Sequence, residues 1–143
     1  MIVDTSAVIA ILFFEPEADE FFDHLASERA VMSAASYVEC SVVTDRATTD
    51  RFRRPVNPSD LRAYTRRAVD RIVTDLDILI SPVTREQADL ARTAHRLYGA
   101  GSGSPARLNF GDCFSYALAK DTDQPLLYKG TDFDHTDVRI FRR

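Results

Sequence analysis

Ile2-Val3 is apolar at both positions and runs through Asp4-Thr5-Ser6 straight into an apolar helix candidate that reaches Phe14. A strand that does not alternate is covered on both faces, and such strands belong to parallel sheets sandwiched between helices. Val31-Met32, Ile78-Leu79-Ile80 and Leu126-Leu127-Tyr128 have the same form, and Val138-Arg139-Ile140-Phe141 reads as an edge strand. Helix signals fill the gaps. Glu15-Pro16 restarts a helix with Phe21, Phe22 and Leu25 inward, and Ser36 with Glu39 reads as a capping box. Asn57-Pro58 opens a helix whose apolar stripe is Leu61, Tyr64, Ala68, Ile72 and Leu76. Thr84 to Gln87 is a second capping box, for a helix that stops at Gly99, and Asn109 caps the helix carrying Asp112. Strands and helices alternating with short connections predict an α/β chain, a three-layer α/β/α sandwich around a mainly parallel sheet of four to five strands.

The 143 residues are expected to form one domain, 1–143, and a chain of this size buries roughly 68–70% of its unfolded surface without needing staples. The longest apolar run, residues 7–14, is too short to span a bilayer and lacks the flanks of a signal peptide, so no membrane association and a cytoplasmic location are expected. Cys40 and Cys113 form no CxxC pair and read as small buried hydrophobes.

Four acids fall at strand ends or helix starts: Asp4, Glu39, Asp112 and Asp132. Taken singly, three have structural roles to fill, Glu39 in a capping box, Asp112 at a helix N-terminus and Asp132 in a turn. Asp4, at the end of a buried strand, needs a partner or a metal. In a parallel sheet all four converge on one edge, where open α/β sheets bind ligands. Their mutual repulsion raises their pKa values unless a cation neutralises them, and an all-oxygen set suits Mg²⁺, with Mn²⁺ as a substitute. Other chemistries find no support. His24, His95 and His135 have no HExxH spacing, no serine or cysteine has a readable base partner, and there is no GxxxxGK[ST]. Ser6 stands where a haloacid-dehalogenase-like phosphatase needs its second aspartate.

Net charge is −4 with a pI near 5.3, which alone argues against nucleic acid. The balance is uneven, because residues 46–71 hold eight arginines against three acids. Arg53, Arg54, Arg62, Arg66 and Arg67 are the candidate RNA contacts in that segment, against the plainer reading of a solvated helix face.

Met1 to Ala7, Ala35 to Glu39, Leu108 to Ala119 and Pro125 to Phe133 together make the chain resemble the PIN-domain ribonucleases of the VapC toxin type, the toxic half of a type II toxin–antitoxin pair, over essentially its whole length. The resemblance implies a metal-dependent endoribonuclease, a hydrolase leaving a 5′-phosphate and a 3′-hydroxyl. In it Asp4, Glu39, Asp112 and Asp132 form the catalytic, metal-binding centre and Ser6 and Thr131 are supporting groups. Thr131 departs mildly from the family, which often carries asparagine, serine or glutamate there. Asp134, Asp137 and His135 read as surface residues. The resemblance also implies an RNA substrate, a homodimer and a cognate antitoxin, for which the surplus of Phe13, Phe14, Phe21, Phe22 and Tyr37 offers an apolar face. The competing reading is a catalytically silent PIN-like module that binds RNA or a partner through an empty acidic pocket, and the presence of all four acids argues against it.

Overall fold

The computed structural model describes residues 1–51 and 58–141. Among them, four strands form one parallel sheet in the order β3-β2-β1-β4: β1 (Ile2–Val3), β2 (Val31–Ser33), β3 (Leu79–Ser81) and β4 (Leu126–Leu127). Ile2 lies opposite Val31 on one side and Leu126 on the other, so β1 is central. The helices are α1 (Thr5–Leu12), α2 (Ala18–Ser27), α3 (Ala34–Arg51), α4 (Pro58–Asp75), α5 (Arg85–Tyr98) and α6 (Phe110–Thr122), followed by a 3₁₀ turn at Asp132–His135.

Strands β1, β2 and β4 sort their side chains by parity, whereas β3 is an exposed edge strand, with Leu79 46% and Ile80 38% exposed. Val3, Met32 and Leu127 enter a core with Val8, Leu25, Val69 and Leu76, while Ile2, Val31 and Leu126 enter a second core with Ala94, Leu108, Leu118 and Phe133. Successive strand residues point to opposite faces, so two separate cores mean a sheet covered on both sides. Helices α1 to α4 supply one layer and α5 with α6 the other, the three-layer α/β/α arrangement expected from the strand pattern.

Several local expectations are corrected. The segment Val138–Phe141 does not form a full edge strand; Leu126 and Ile140 make a single parallel bridge, flanked by Leu126 N–H to Arg139 O at 2.8 Å and Phe141 N–H to Leu126 O at 2.9 Å. Ser36 does not cap α3. That helix begins two residues earlier, Ser33 Oγ accepts the Ala35 N–H at 3.3 Å, and Ser36 is fully buried inside the helix. The apolar stripe of α4 is rotated, because Thr65 and Val69 are buried while Tyr64 is 71% exposed. Leu61, Arg62 and Asn57 carry expectations that lie outside the described side chains. Phe22 points outward and Phe21 inward.

Helix α1 ends abruptly at a non-glycine. Phe14 adopts φ +52°, its N–H reaches Ile11 O, and Glu15 N–H reaches Ala10 O at 2.9 Å, the paired closure of a helix C-terminus that glycine usually supplies. This conformation leaves the Phe14 ring 91% exposed. The turn brings Glu15 and Glu17 back toward the C-terminal edge of the sheet.

Candidate active site

All four strands run the same way, so the residues after β1, β2 and β4 share one edge. Asp4 directly follows β1 and is the N-cap of α1. Its Oδ2 accepts from Ser6 N at 2.9 Å and from Ser6 Oγ at 2.6 Å, and its Oδ1 accepts from Ser115 Oγ at 2.6 Å. Ser115 has one hydroxyl proton and directs it at the carboxylate, so Ser36 is the donor in the 3.0 Å Ser36–Ser115 contact. Ser6 Oγ in turn accepts the Lys129 N–H at 2.9 Å. One polar chain therefore ties β1, α3, α6 and the segment after β4 together around a carboxylate that is 2% exposed.

Glu39 comes from the second turn of α3. Its Oε2 accepts from Thr5 Oγ1 at 2.7 Å, and Thr5 also lies 3.1 Å from Ser36 O. The carboxylate is thus aimed by α1 and takes no part in a cap. Asp112 comes from the first turn of α6, where Asn109 Oδ1 accepts from Gly111 N and Asp112 N while Asp112 Oδ2 accepts from Asn109 N at 2.7 Å. This is a complete capping box, and it leaves the remaining oxygen of Asp112 for the site. The preceding connection is pinned by a Gly99–Leu108 bridge, with Leu108 N–H on Tyr98 O at 2.8 Å.

Asp4, Thr5, Ser6, Glu39, Asn109 and Asp112 line one concavity of about 220 Å³, with Lys129 as the one cation lining it among the described residues. The Lys129 ammonium is held by Glu15 at 2.8 Å and Glu17 at 2.7 Å. Burial, reinforced by the Asp4 charge, pushes the Asp112 carboxyl up to about 7; Glu39 and Asp132 add to the push and the Asn109 amide opposes it. Burial also raises Glu39, with Thr5 opposing and Asp4 adding. Both thiols stay protonated, since burial raises Cys40 to about 12 and Cys113 to about 11.

Three of the four expected acids, and Ser6, therefore share the concavity. Asp132 does not line it; it sits exposed at the start of the 3₁₀ turn, near enough for its charge to act on Asp112. Thr131 is exposed and makes no side-chain cap bond. Asp137 is held by Tyr116 at 2.5 Å and Lys120 at 3.0 Å, and Asp134 by Tyr128 at 2.7 Å, which makes them structural. Arg66 and Arg67 are exposed on α4 and do not line the concavity; Arg66 lies 4.0 Å from Asp45. The Arg62 side chain, Arg53 and Arg54 lie outside the described residues.

Thr5, Ser115 and Lys129 are not legible as site residues from the sequence, whereas Asn109 is read there as the cap of α6. Ser115 has one signal, its position three residues after Asp112 on one helix face.

The donor set is carboxylate and hydroxyl oxygen only, which fits Mg²⁺ or Mn²⁺ and no softer ion. Among the described residues no three acids, imidazoles or thiols close in tightly enough to hold an ion by themselves. That is compatible with Mg²⁺, which dehydrates reluctantly and takes one or two carboxylates while keeping several waters.

The PIN domain family matches residues 1–139. Ribonuclease VapC28 of Mycobacterium tuberculosis is 49% identical over 140 residues, covering 97% of this chain and 96% of that protein. Ribonuclease VapC42 of the same organism is 44% identical over 140 residues, covering 97% of each. The crystal structure of Mycobacterium tuberculosis VapC20, a toxin that cleaves the sarcin–ricin loop, superposes with a TM-score of 0.69 at 17% identity over 99% of this chain and 98% of that one, a likeness of fold.

Proposed function

The chain belongs to the PIN-domain family, among the VapC toxins, and on that footing we propose that it is a Mg²⁺-dependent endoribonuclease acting as the toxic half of a type II toxin–antitoxin pair. The observation that carries the reading is the cluster itself: Asp4, Glu39 and Asp112 face one concavity, and Asp112 is pushed up to about 7. A buried acid raised by burial and by a neighbouring carboxylate, as Asp112 and Glu39 are, is stabilised in its charged form by an added cation, and polar chains hold the cluster in place.

In this reading Asp4, Glu39 and Asp112 would surround the ion, one or two of them directly and the rest through its retained waters, and Asp132 would supply outer charge. When bound, Mg²⁺ supplies a more acidic water and positive charge against the leaving oxygen. Ser6 and Ser115 hold both oxygens of Asp4, Thr5 holds Glu39, and the Asn109 amide holds Asp112, so that no acid must reorganise as the phosphodiester is cleaved. Without the ion the same carboxylates repel phosphate. The test is cleavage of total cellular RNA by metal-stripped protein with Mg²⁺ or Mn²⁺ restored. Cleavage that returns with the metal supports the proposal; cleavage unaffected by stripping, or none under any condition, sinks it.

The partners belong to the same proposal. A homodimer and a cognate antitoxin carrying an arginine toward the acidic concavity fit the chemistry, since a guanidinium fork pairs bidentately with carboxylates. Among the described residues no helix is long and apolar enough to cross a membrane. Sizing of the protein alone and co-purified with the product of the adjacent small reading frame reads both; a monomer that retains no such product counts against them.

Arg66 and Arg67 enter as RNA contacts on charge alone. Replacing both with glutamine is expected to flatten the salt dependence of RNA binding by about 0.7 in log–log slope for each phosphate no longer neutralised, and to raise KM with kcat little changed. An unchanged slope assigns them to a solvated face.

A further inference from the structure

Gly111 precedes Asp112 in the first turn of α6, and nothing in its backbone calls for glycine. The positive-φ glycines are Gly101, Gly103 and Gly130, and Gly111 is not among them. Alanine is favoured over glycine in a helix. The reason for glycine lies across the site: a Cβ on Gly111 would stand 2.0 Å from Cδ, Oε1 and Oε2 of Glu39. The Glu39 carboxylate occupies the place a side chain would take.

We propose that Gly111 is a positioning residue, whose missing side chain forms the seat for the Glu39 carboxylate beside Asp112; this rests on the reading of those acids as the ion-binding centre. Two contacts define the seat. Thr5 Oγ1 holds Oε2 at 2.7 Å from α1, and the bare Cα of Gly111 lets the carboxylate settle against α6. The colliding group is the free end of a flexible side chain, so a methyl at position 111 is accommodated by displacing the carboxylate and the fold survives. Displacement is what the site cannot absorb, because misplacing a functional group by about 1 Å costs on the order of 10²-fold in rate.

The experiment compares the full chain with Gly111→Ala, Glu39→Ala and the double variant, reading RNA cleavage, Mn²⁺ affinity by electron paramagnetic resonance, thermal unfolding, and a crystal structure of Gly111→Ala. Gly111→Ala is expected to unfold at or above the wild-type temperature, to cleave about 10²-fold more slowly, to bind Mn²⁺ more weakly, and to show Glu39 withdrawn from Thr5. Added to Glu39→Ala, it should change neither cleavage nor affinity, because its whole effect passes through Glu39. Wild-type affinity and activity in Gly111→Ala, or an equal loss in the Glu39→Ala background, overturns the proposal. If Gly111→Ala fails to fold, recovery of folding in the double variant supports the seat and persistent failure overturns it. A wild-type protein that cleaves no RNA defeats the ribonuclease reading, while Mn²⁺ affinity and the position of Glu39 still decide the role of Gly111.

Discussion

Asp4→Asn and Asp112→Asn are each expected to lower the proposed metal-dependent RNA cleavage by about 10²–10³-fold or more, on the order of losing one preorganised electrostatic group, while both variants remain folded. Asparagine still caps α1 at position 4 and still offers an oxygen to the Asn109 amide at position 112, so the local backbone bonds survive. The neighbouring hydroxyls of Ser6 and Ser115 can rotate to accept from an amide. What disappears is charge. At position 112 the wild-type protein carries a carboxyl that burial and three neighbouring acids push upward, so its removal relieves the metal-free fold. At position 4 the substitution removes the charge that acts most strongly on Asp112. Circular dichroism and thermal unfolding check the fold, and cleavage with restored Mg²⁺ or Mn²⁺ checks the chemistry. Activity within a few-fold of wild type in either variant rules out the proposed acidic centre. Glu39→Gln is expected to lose activity as well, with stability set by its contact to Thr5, because Glu39 lies outside any cap.

The legible part of this site is the part written as local pattern. Short apolar doublets such as Ile2-Val3 and Leu126-Leu127, bounded by turn and helix signals, read as strands covered on both faces, and parallel strands deliver whatever follows them to one edge, which is where Asp4 lies. Asn109 and Asp112 are legible because a cap and its reciprocal acid are neighbours in sequence. The hidden part depends on contacts between distant segments. Ser36 has the spacing of a capping residue, yet the strand before it ends so close to the helix that Ser33 takes the capping role and Ser36 is drawn inside to meet Ser115. The stripe of α4 is ambiguous in sequence because Tyr64 and Thr65 have similar local propensities and only packing against α3 chooses between them. The edge strand at Val138–Phe141 shrinks to one bridge because β4 itself is two residues long and offers little ladder to pair with. Its place after a strand groups Asp132 with the other acids, and in the fold it opens the exposed 3₁₀ turn and acts on Asp112 by its charge, without lining the concavity.

Stability of the metal-free protein should fall as pH rises from about 4 to beyond 7, and Asp112→Asn should remove most of that slope. The sign follows from linkage. The Asp112 carboxyl has its ordinary value near 3.8 in the unfolded chain and is pushed up to about 7 in the fold, chiefly by burial and then by Asp4. A raised folded pKa means the native state binds the proton more tightly, so its contribution is fully present below the unfolded pKa and is lost as pH rises through the folded one. Glu39 is raised by burial as well and adds in the same direction. One pKa unit corresponds to about 1.4 kcal/mol, and after allowance for relaxation of a charged site an effect on the order of 1–3 kcal/mol is expected between pH 5 and pH 8. Mg²⁺ should oppose the trend, because it binds the deprotonated acids and stabilises the fold most where the metal-free protein is weakest. Thermal unfolding of EDTA-treated wild type and Asp112→Asn at pH 5 and pH 8, each repeated with excess Mg²⁺, reads all of this in one set. Parallel pH dependences in the two proteins would show that Asp112 is not the group that titrates, and the repulsive acidic cluster would lose its main physical support.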